Sequence, residues 1–107
     1  MARTHDANYR NRRLLDAVRE LHCQFQIPGV CDGGVGADPC HSNQQLHGKG
    51  KSLKAHDCFV AAGCRACHRE VDQGMRLSRD ERVHYWQVAH DRTMLLLWQR
   101  DIIEVKR

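Results

Sequence analysis

The sequence has few aromatic residues, few prolines and no long apolar run. Phe, Trp and Tyr together make up 6% of the 107 residues, and there are two prolines. The longest apolar run, residues 94–98, is far shorter than the roughly 18 residues that a membrane-spanning helix needs. The first six residues contain no apolar stretch, so we expect no signal peptide and a cytoplasmic protein. These features argue against a secreted or membrane-spanning protein.

Length and composition indicate one folded domain. The chain is 41% apolar and 28% charged, which is too apolar for a disordered protein. A chain of 107 residues leaves no room for two ordinary domains. The net charge of +4 permits an anionic partner without requiring one.

The first half of the chain predicts one helix and one hairpin. Apolar residues recur at helical spacing over residues 8–20, within an N-terminal helical segment that we place at residues 1–22. Residues 23–27 alternate as a strand does, Pro28 and Gly29 form a turn, and the chain returns through Cys31. Such a hairpin brings Cys23 and Cys31 to one end.

The second half predicts a short strand and two helices. We expect a strand at residues 58–61 and a helix that runs from the Cys64–Cys67 motif to Gln73, ended by Gly74. Ser78 and Glu81 fit a capping box that opens a helix to about Arg100. The expected buried stripe of this helix is Val83, Trp86, His90, Met94 and Leu97. The predicted fold class is α+β.

Six cysteines in a reducing compartment suggest metal binding rather than disulfides. Cys64 and Cys67 form C-x-x-C at the start of a helix, which is typical of a tetrahedral zinc site. With the hairpin pair, the predicted structural zinc ligands are Cys23, Cys31, Cys64 and Cys67. Such an ion stabilises a small domain with few aromatic residues.

Several alternatives to this ligand set stay open. The thiols are buried and free, or only one pair binds. Cys40 or Cys58 replaces one of the four, or His22 replaces Cys23. The C-x-x-C-H string at residues 64–68 also matches c-type haem attachment, but that requires export and an apolar haem pocket.

Two histidines have neighbours that suggest chemistry. His68 and Asp72 are four residues apart on one helix, so both side chains project from the same face and suit a divalent cation. His41 lies between a glycine-rich loop and a basic stretch, where a neutral imidazole can accept a proton from water. Alternatively, His68 bonds to the helix start, Asp72 is solvated and His41 is an exposed loop residue.

A basic segment follows His41. Residues 41–56 contain three lysines and no acidic residue, so we place phosphate contacts at Lys49, Lys51 and Lys54. The segment lacks aromatic side chains and would therefore contact the backbone of a nucleic acid rather than stack on its bases. The alternative is an exposed, solvated loop.

The order of these features resembles a known family. The residues on which the resemblance rests are the string QIPGVC at 26–31, His41, Asp57, the string AGCRACH at 62–68, and Asp72. Together they resemble the zinc-containing HNH (His-Me finger) endonucleases typified by phage endonuclease VII. Within these, the sequence is most similar to the YbcO-like nucleases of lambdoid phages and prophages. The likeness covers about residues 23–74.

This resemblance implies a small zinc-stabilised ββα-metal core, treble-clef-like, between an N-terminal and a long C-terminal helix. His41 becomes the general base and His68 a ligand of a catalytic magnesium or manganese ion. The local match for the residue that orients the catalytic histidine is Asp57, with Asn43 as an outside candidate. The second cation ligand is Asp38 or Asp72.

The resemblance also implies a function for the whole chain. Residues 1–107 form one nuclease domain, with helices at 1–22 and 78–100 around the core at 23–74. The expected activity is metal-dependent hydrolysis of DNA, duplex, single-stranded or branched, in phage recombination, repair or processing, by a monomer or homodimer in the bacterial cytoplasm. The alternative hypothesis is a non-catalytic zinc-binding module that binds nucleic acid or protein.

Overall fold

A computed structural model describes residues 8–34 and 36–106. In chain order its elements are α1 (Arg12–Val18), β1 (Asp38–His41), a short 3-10 helix (Gln45–His47), β2 (Val60–Gly63), α2 (Arg65–Gln73) and α3 (Arg79–Gln99). The predicted α+β class is confirmed. No helix in the described ranges is long and apolar enough to cross a membrane.

Helix α1 is shorter than the one predicted over residues 8–20. It begins after Asn11, whose side chain accepts a hydrogen bond from Leu14 N at 3.1 Å, and it ends at Val18. A capping Asn adopts an extended backbone, so Asn11 sets the start of the helix, and the periodic apolar residues all follow it. Of the predicted segment 1–22, residues 1–7 lie outside the described residues.

Strands β1 and β2 form a two-stranded antiparallel sheet in which His41 lies opposite Val60. Strand β2 begins two residues later than the strand predicted at 58–61, because the chain still turns where Phe59 N donates to His56 O at 2.9 Å. The residue pattern predicted no strand for β1. The pairing places His41 at the end of β1, beside the start of β2.

The predicted hairpin at residues 23–31 is wrong in its strands but right in its turn. Gln26 has a φ of 51°, which interrupts the extended backbone that a strand requires. The chain still reverses, since Cys31 N donates to Ile27 O at 2.9 Å. Phe25 and Ile27 are buried and anchor this turn in the core.

This segment packs directly against the end of β2. Gln24 N donates to Ala62 O at 2.8 Å. A Cβ atom at Gly63 would lie 2.7–2.8 Å from the ring of Phe25 and 2.9 Å from Cys40 Sγ. Only glycine fits that contact without displacement of its neighbours.

Helices α2 and α3 agree with their predicted limits. Helix α2 is capped by Cys64 and followed by Gly74, and α3 opens with the predicted capping box of Ser78 and Glu81. Helix α3 ends one residue before the predicted Arg100. These limits were predictable because each depends on residues within one turn of the helix end.

The buried face of α3 differs from the predicted stripe. The residues that it buries are Trp86, Ala89, Thr93 and Leu97. Val83 is 40% exposed, while His90 and Met94 are only half-buried. The small Ala89 and Thr93 allow α3 to pack closely on β2, and Thr93 Oγ1 accepts a hydrogen bond from Ala62 N at 2.9 Å. The buried face of α3 is therefore the one whose small side chains allow the helix to lie close to the sheet.

Candidate active site and metal sites

Four thiols meet where the start of α2 lies against the turn at residues 23–31. The Sγ atoms of Cys23, Cys31, Cys64 and Cys67 all lie within 4.8 Å of one another. Sulfurs around a tetrahedral zinc with Zn–S bonds of about 2.3 Å are about 3.8 Å apart. The four side chains therefore fit a structural zinc after a small contraction.

Backbone groups favour the thiolate that zinc requires at Cys23, whereas burial raises the pKa of the Cys31 and Cys67 thiols above the ordinary value. Cys67 N donates to Cys64 Sγ at 3.4 Å. Burial alone would raise the pKa of the Cys23 thiol, but backbone hydrogen bonds, the largest from Cys64, bring that pKa below its ordinary value. Such contacts to the ligands help to orient them and tune the metal.

The residues that could have replaced one of these ligands lie outside the group of four sulfurs. Cys40 is buried in β1, outside the group of four, and burial raises the pKa of its thiol. Cys58 and His22 are exposed and also lie outside the group.

A second group of side chains is built on His41. Its Nε2 lies 2.8 Å from Asp57 Oδ1, although the two residues are sixteen positions apart. If Nε2 carries the proton that this contact shares, Nδ1 is unprotonated and can accept a proton from water. The structure thus pairs His41 with Asp57, the orienting residue predicted ahead of Asn43.

Asp57 is buried and fully engaged by its surroundings. Asn11 N donates to its Oδ2 at 2.6 Å, and an Arg10 Nη1 lies 3.3 Å from Oδ1. Burial alone would raise the pKa of Asp57, but the His41 contact, the Asn11 bond and the Arg10 charge hold it below its usual range. The carboxyl group is therefore ionised at neutral pH.

His68 lies between two carboxylates, one at each ring nitrogen. Its Nδ1 is 3.2 Å from Asp38 Oδ2 and its Nε2 is 3.1 Å from Asp72 Oδ2. The hydrogen bond to Asp72 raises the pKa of His68; burial opposes this, and the bond to Asp38 adds to it. Asn43 Nδ2 donates to Asp72 Oδ1 at 2.9 Å and holds that carboxylate in place.

This arrangement bears on the predicted cation site. Asp38 and Asp72 contact opposite edges of the His68 ring, so they do not converge with His68 on one point. Among the described residues, only the four cysteines bring three or more ligand atoms together. One ring nitrogen and one carboxylate remain a suitable pair for Mg²⁺, which proteins often hold through one or two carboxylates and the substrate phosphate.

An open cleft of about 220 Å³ connects the two histidine groups. Its lining includes His41, His68 and Asp72, but Asp38 is not part of it. Among the predicted phosphate-binding lysines, Lys49 and Lys54 line the cleft, whereas Lys51 lies outside it. The cleft therefore presents an imidazole, an imidazole–carboxylate pair and positive charge to one bound group.

The structure also contains a ring cluster that the sequence did not reveal. His47 is buried and stacks on Phe59 with ring centroids 4.2 Å apart, and its Nδ1 lies 2.6 Å from Ser42 Oγ. Trp86 stacks on His90 at 4.9 Å, and its Nε1 donates to Cys40 O at 3.0 Å. No local pattern links these residues, because they come from three separate segments.

We expect His47 to make folding stability depend on pH. Burial lowers its pKa in the folded protein, and the nearby His90 lowers it further. Below about pH 6.5, the unfolded chain therefore binds a proton at His47 that the folded protein lacks, and stability falls with decreasing pH. His47→Phe keeps a stacking ring but cannot titrate. Its free energy of unfolding in urea should fall less than that of the wild type between about pH 7 and about pH 5.5.

The exposed His84 provides a matched control for this measurement. His84→Gln should retain the wild-type slope. His68, whose pKa is raised, contributes in the opposite sense in all three proteins, so the comparison between variants isolates His47. An unchanged slope in His47→Phe would contradict the prediction.

Comparison with known proteins gives two curated relatives. Over 60 residues the chain is 33% identical to "Putative nuclease YbcO" of Escherichia coli strain K12 and equally to "Putative nuclease ybcO" of Enterobacteria phage 82. Each alignment covers 56% of this chain and 62% of the relative. The chain thus spans about three fifths of the length of the curated relatives that it matches. No protein-family model matches the sequence.

A solved structure has the same fold. It is described as "Structure of a putative bacteriophage protein from Escherichia coli str. K-12 substr. MG1655". The two superpose with a TM-score of 0.63 over 81% of this chain and 98% of the other, at 23% sequence identity. At that identity the likeness concerns the fold alone.

Proposed function

We propose that this chain is a metal-dependent endonuclease of the HNH (His-Me finger) type that hydrolyses phosphodiester bonds in DNA. The observation that carries this proposal is the single cleft in which His41, paired with Asp57, faces His68 and Asp72. The relatives named as nucleases support the same class of activity. A module that only binds has no need for this arrangement.

His41 is the general base of the proposed reaction. Asp57 holds the Nε2 side of the ring, so that Nδ1 is the acceptor for a proton from water. The water then attacks the scissile phosphorus, the bond from phosphorus to the 3′ oxygen breaks, and that oxygen leaves and takes a proton from solvent. Because Asp57 is buried and ionised, it also stabilises the imidazolium that forms when His41 takes the proton.

His68 and Asp72 hold the proposed catalytic cation. His68 and Asp72 both line the cleft, and Asp72 contacts Nε2 of His68; Asp38 is not part of the lining and contacts Nδ1. We therefore assign Asp72 as the second ligand and Asp38 as the residue that orients the His68 ring. Magnesium or manganese bound there would stabilise negative charge on the phosphate and on the departing oxygen.

Lys49 and Lys54 position the substrate. Both line the cleft, and a Lys ammonium binds phosphate oxygens without reading the base sequence. Lys51 lies outside the cleft and has a minor role in the immediate contacts.

The four-cysteine site is structural, since a closed tetrahedral zinc has no open position for water. The biological process that we expect is phage DNA recombination, repair or processing in a bacterial cytoplasm.

The test is cleavage of supercoiled plasmid by purified, zinc-loaded protein. We expect nicking with magnesium or manganese, none with EDTA under conditions that leave zinc bound, and a loss of at least about 100-fold in His68→Ala. His84→Ala, on the exposed side of α3, should retain full activity. Equal activity in wild type and His68→Ala would refute the assigned cation site. If the protein shifts plasmid, single-stranded and branched DNA without cutting any of them, the non-catalytic zinc module is the better account.

A further inference from the structure

The residues before α1 form a strap along the loop that leads to β2. Residues 8–11, called the N-terminal strap below, bond to the loop at residues 48–57. Asn8 Nδ2 donates to Gly48 O at 2.8 Å, and Asp57 N donates to Tyr9 O at 2.9 Å. The strap therefore fixes this loop to the body of the domain at both of its ends.

Arg10 is the centre of this strap. Its Nη1 donates to Ala55 O at 2.6 Å and its Nη2 to Lys54 O at 2.9 Å. The same Nη1 lies 3.3 Å from Asp57 Oδ1. Nη1 also donates to Tyr9 O at 3.2 Å. The guanidinium thus joins backbone carbonyls of two segments to one carboxylate, a geometry that its planar fork allows and a lysine cannot reproduce.

The carboxylate that Arg10 contacts is the one that holds His41. Oδ1 of Asp57 is shared between Arg10 Nη1 and His41 Nε2, while Oδ2 accepts from Asn11 N at 2.6 Å. The Asp57 side chain is only 3% exposed, so water cannot replace a lost partner easily. Loss of Arg10 would remove one partner of Oδ1 and leave the bond from Asn11 N, so the orientation of this buried carboxylate toward the imidazole would be held less firmly.

We propose that Arg10 is a positioning residue of the nuclease site: it holds Asp57 in the orientation that keeps the acceptor nitrogen of His41 available to water. This inference rests on the proposed function, because it assigns a role to Arg10 in the same reaction. In this role Arg10 acts through Asp57, because the guanidinium contacts Asp57 Oδ1, the oxygen that also contacts His41 Nε2.

A double-mutant cycle tests the proposed route through Asp57. We expect Arg10→Met to lower kcat for plasmid cleavage by about 10–100-fold with little change in KM. This is the typical effect of residues that orient a functional side chain without contacting the substrate. In an Asp57→Asn background the same substitution should cause no further loss, because the two residues act as a unit. Arg12→Met, an exposed arginine two positions away, is the matched control and should retain wild-type kcat.

Each alternative role for Arg10 gives a different result. A rise in KM at unchanged kcat would mean that Arg10 binds substrate phosphate, and losses that add in the double mutant would mean that it serves the fold alone. Either outcome overturns the proposal. Arg10→Lys, which keeps the charge but not the fork, should recover part of the lost kcat, and it replaces Arg10→Met if that variant does not fold.

A measurement without cleavage separates this inference from the proposed function. Imidazole nitrogen spectra at about pH 8 report which ring nitrogen of a neutral histidine carries the proton. We expect His41 to be protonated at Nε2 in the wild type and to shift toward a mixture of tautomers in Arg10→Met, with no shift in Arg12→Met. An unchanged spectrum would refute the positioning role. If the wild type cuts no DNA but the tautomer still shifts, the function proposed above fails and the structural part of this inference stands.

Discussion

Replacing His41 with alanine should slow DNA cleavage by about 10²–10⁴-fold, the contribution typical of a general base. Its ring lies in the cleft with His68 and Asp72, and Asp57 engages its Nε2. Alanine removes the proton acceptor and leaves the cation ligands in place. Single-turnover cleavage of supercoiled plasmid at saturating protein measures this effect on the chemical step.

The fold and the zinc content of His41→Ala must match those of the wild type, so that a loss of cleavage reports the missing imidazole alone. His41 ends β1 and contacts the buried Asp57, so its removal should cost some stability, although Arg10 and Asn11 still engage that carboxylate. His22→Ala, which changes an exposed imidazole that is not part of the cleft lining, should cleave at the wild-type rate. A folded His41→Ala that cuts as fast as the wild type would assign the base to another group or the activity to a contaminant.

Replacing Cys67 with alanine should abolish the folded state. Structural zinc in small domains contributes about 10–16 kcal/mol to folding, which matches or exceeds the roughly 5–15 kcal/mol of net stability of a typical domain. Cys67 is fully buried in the first turn of α2, and its sulfur belongs to the group of four. Zinc content by mass spectrometry under native conditions and circular dichroism over a temperature ramp would report the loss together.

The size of the effect distinguishes a metal ligand from a buried free thiol. Without a metal, the small change from Cys67 to alanine should cost only about 1–2 kcal/mol and leave a cooperative transition. Cys58→Ala is the matched control, since Cys58 is exposed and outside the group. One bound zinc per chain and full stability in Cys67→Ala would show that another residue, such as Cys40, completes the site.

The features that the sequence predicted well depend on short stretches of chain. The Cys64–Cys67 motif, the end of α2 at Gly74 and the capping box of Ser78 with Glu81 each involve residues within one helical turn. The hairpin prediction was wrong in its strands because the backbone of Gln26 adopts a positive φ, which alternation of apolar residues cannot reveal. It still predicted the meeting of Cys23 and Cys31, because a turn alone brings them together.

The candidate site was predictable only as a set of residue types. The resemblance identified His41, His68 and Asp57; the two histidines line one cleft, and the buried Asp57 contacts His41. Spacing on α2 correctly predicted that His68 and Asp72 would be neighbours. Asp38 reaches His68 from thirty residues away, so its position on the far side of the ring could not be derived from the sequence.

By itself, the sequence determined the α+β class, the limits of α2 and α3, and each of the two cysteine pairs. All of these follow from local spacing and capping. The packing of residues 23–31 against α2 then decided that the two pairs form one group of four. Only the tertiary structure decided that Arg10 and Asn11 hold Asp57, across forty-seven and forty-six residues, and that His47 lies in a stack of rings. Such contacts depend on how separate segments pack. The donors that a buried carboxylate binds are the ones that this packing places beside it.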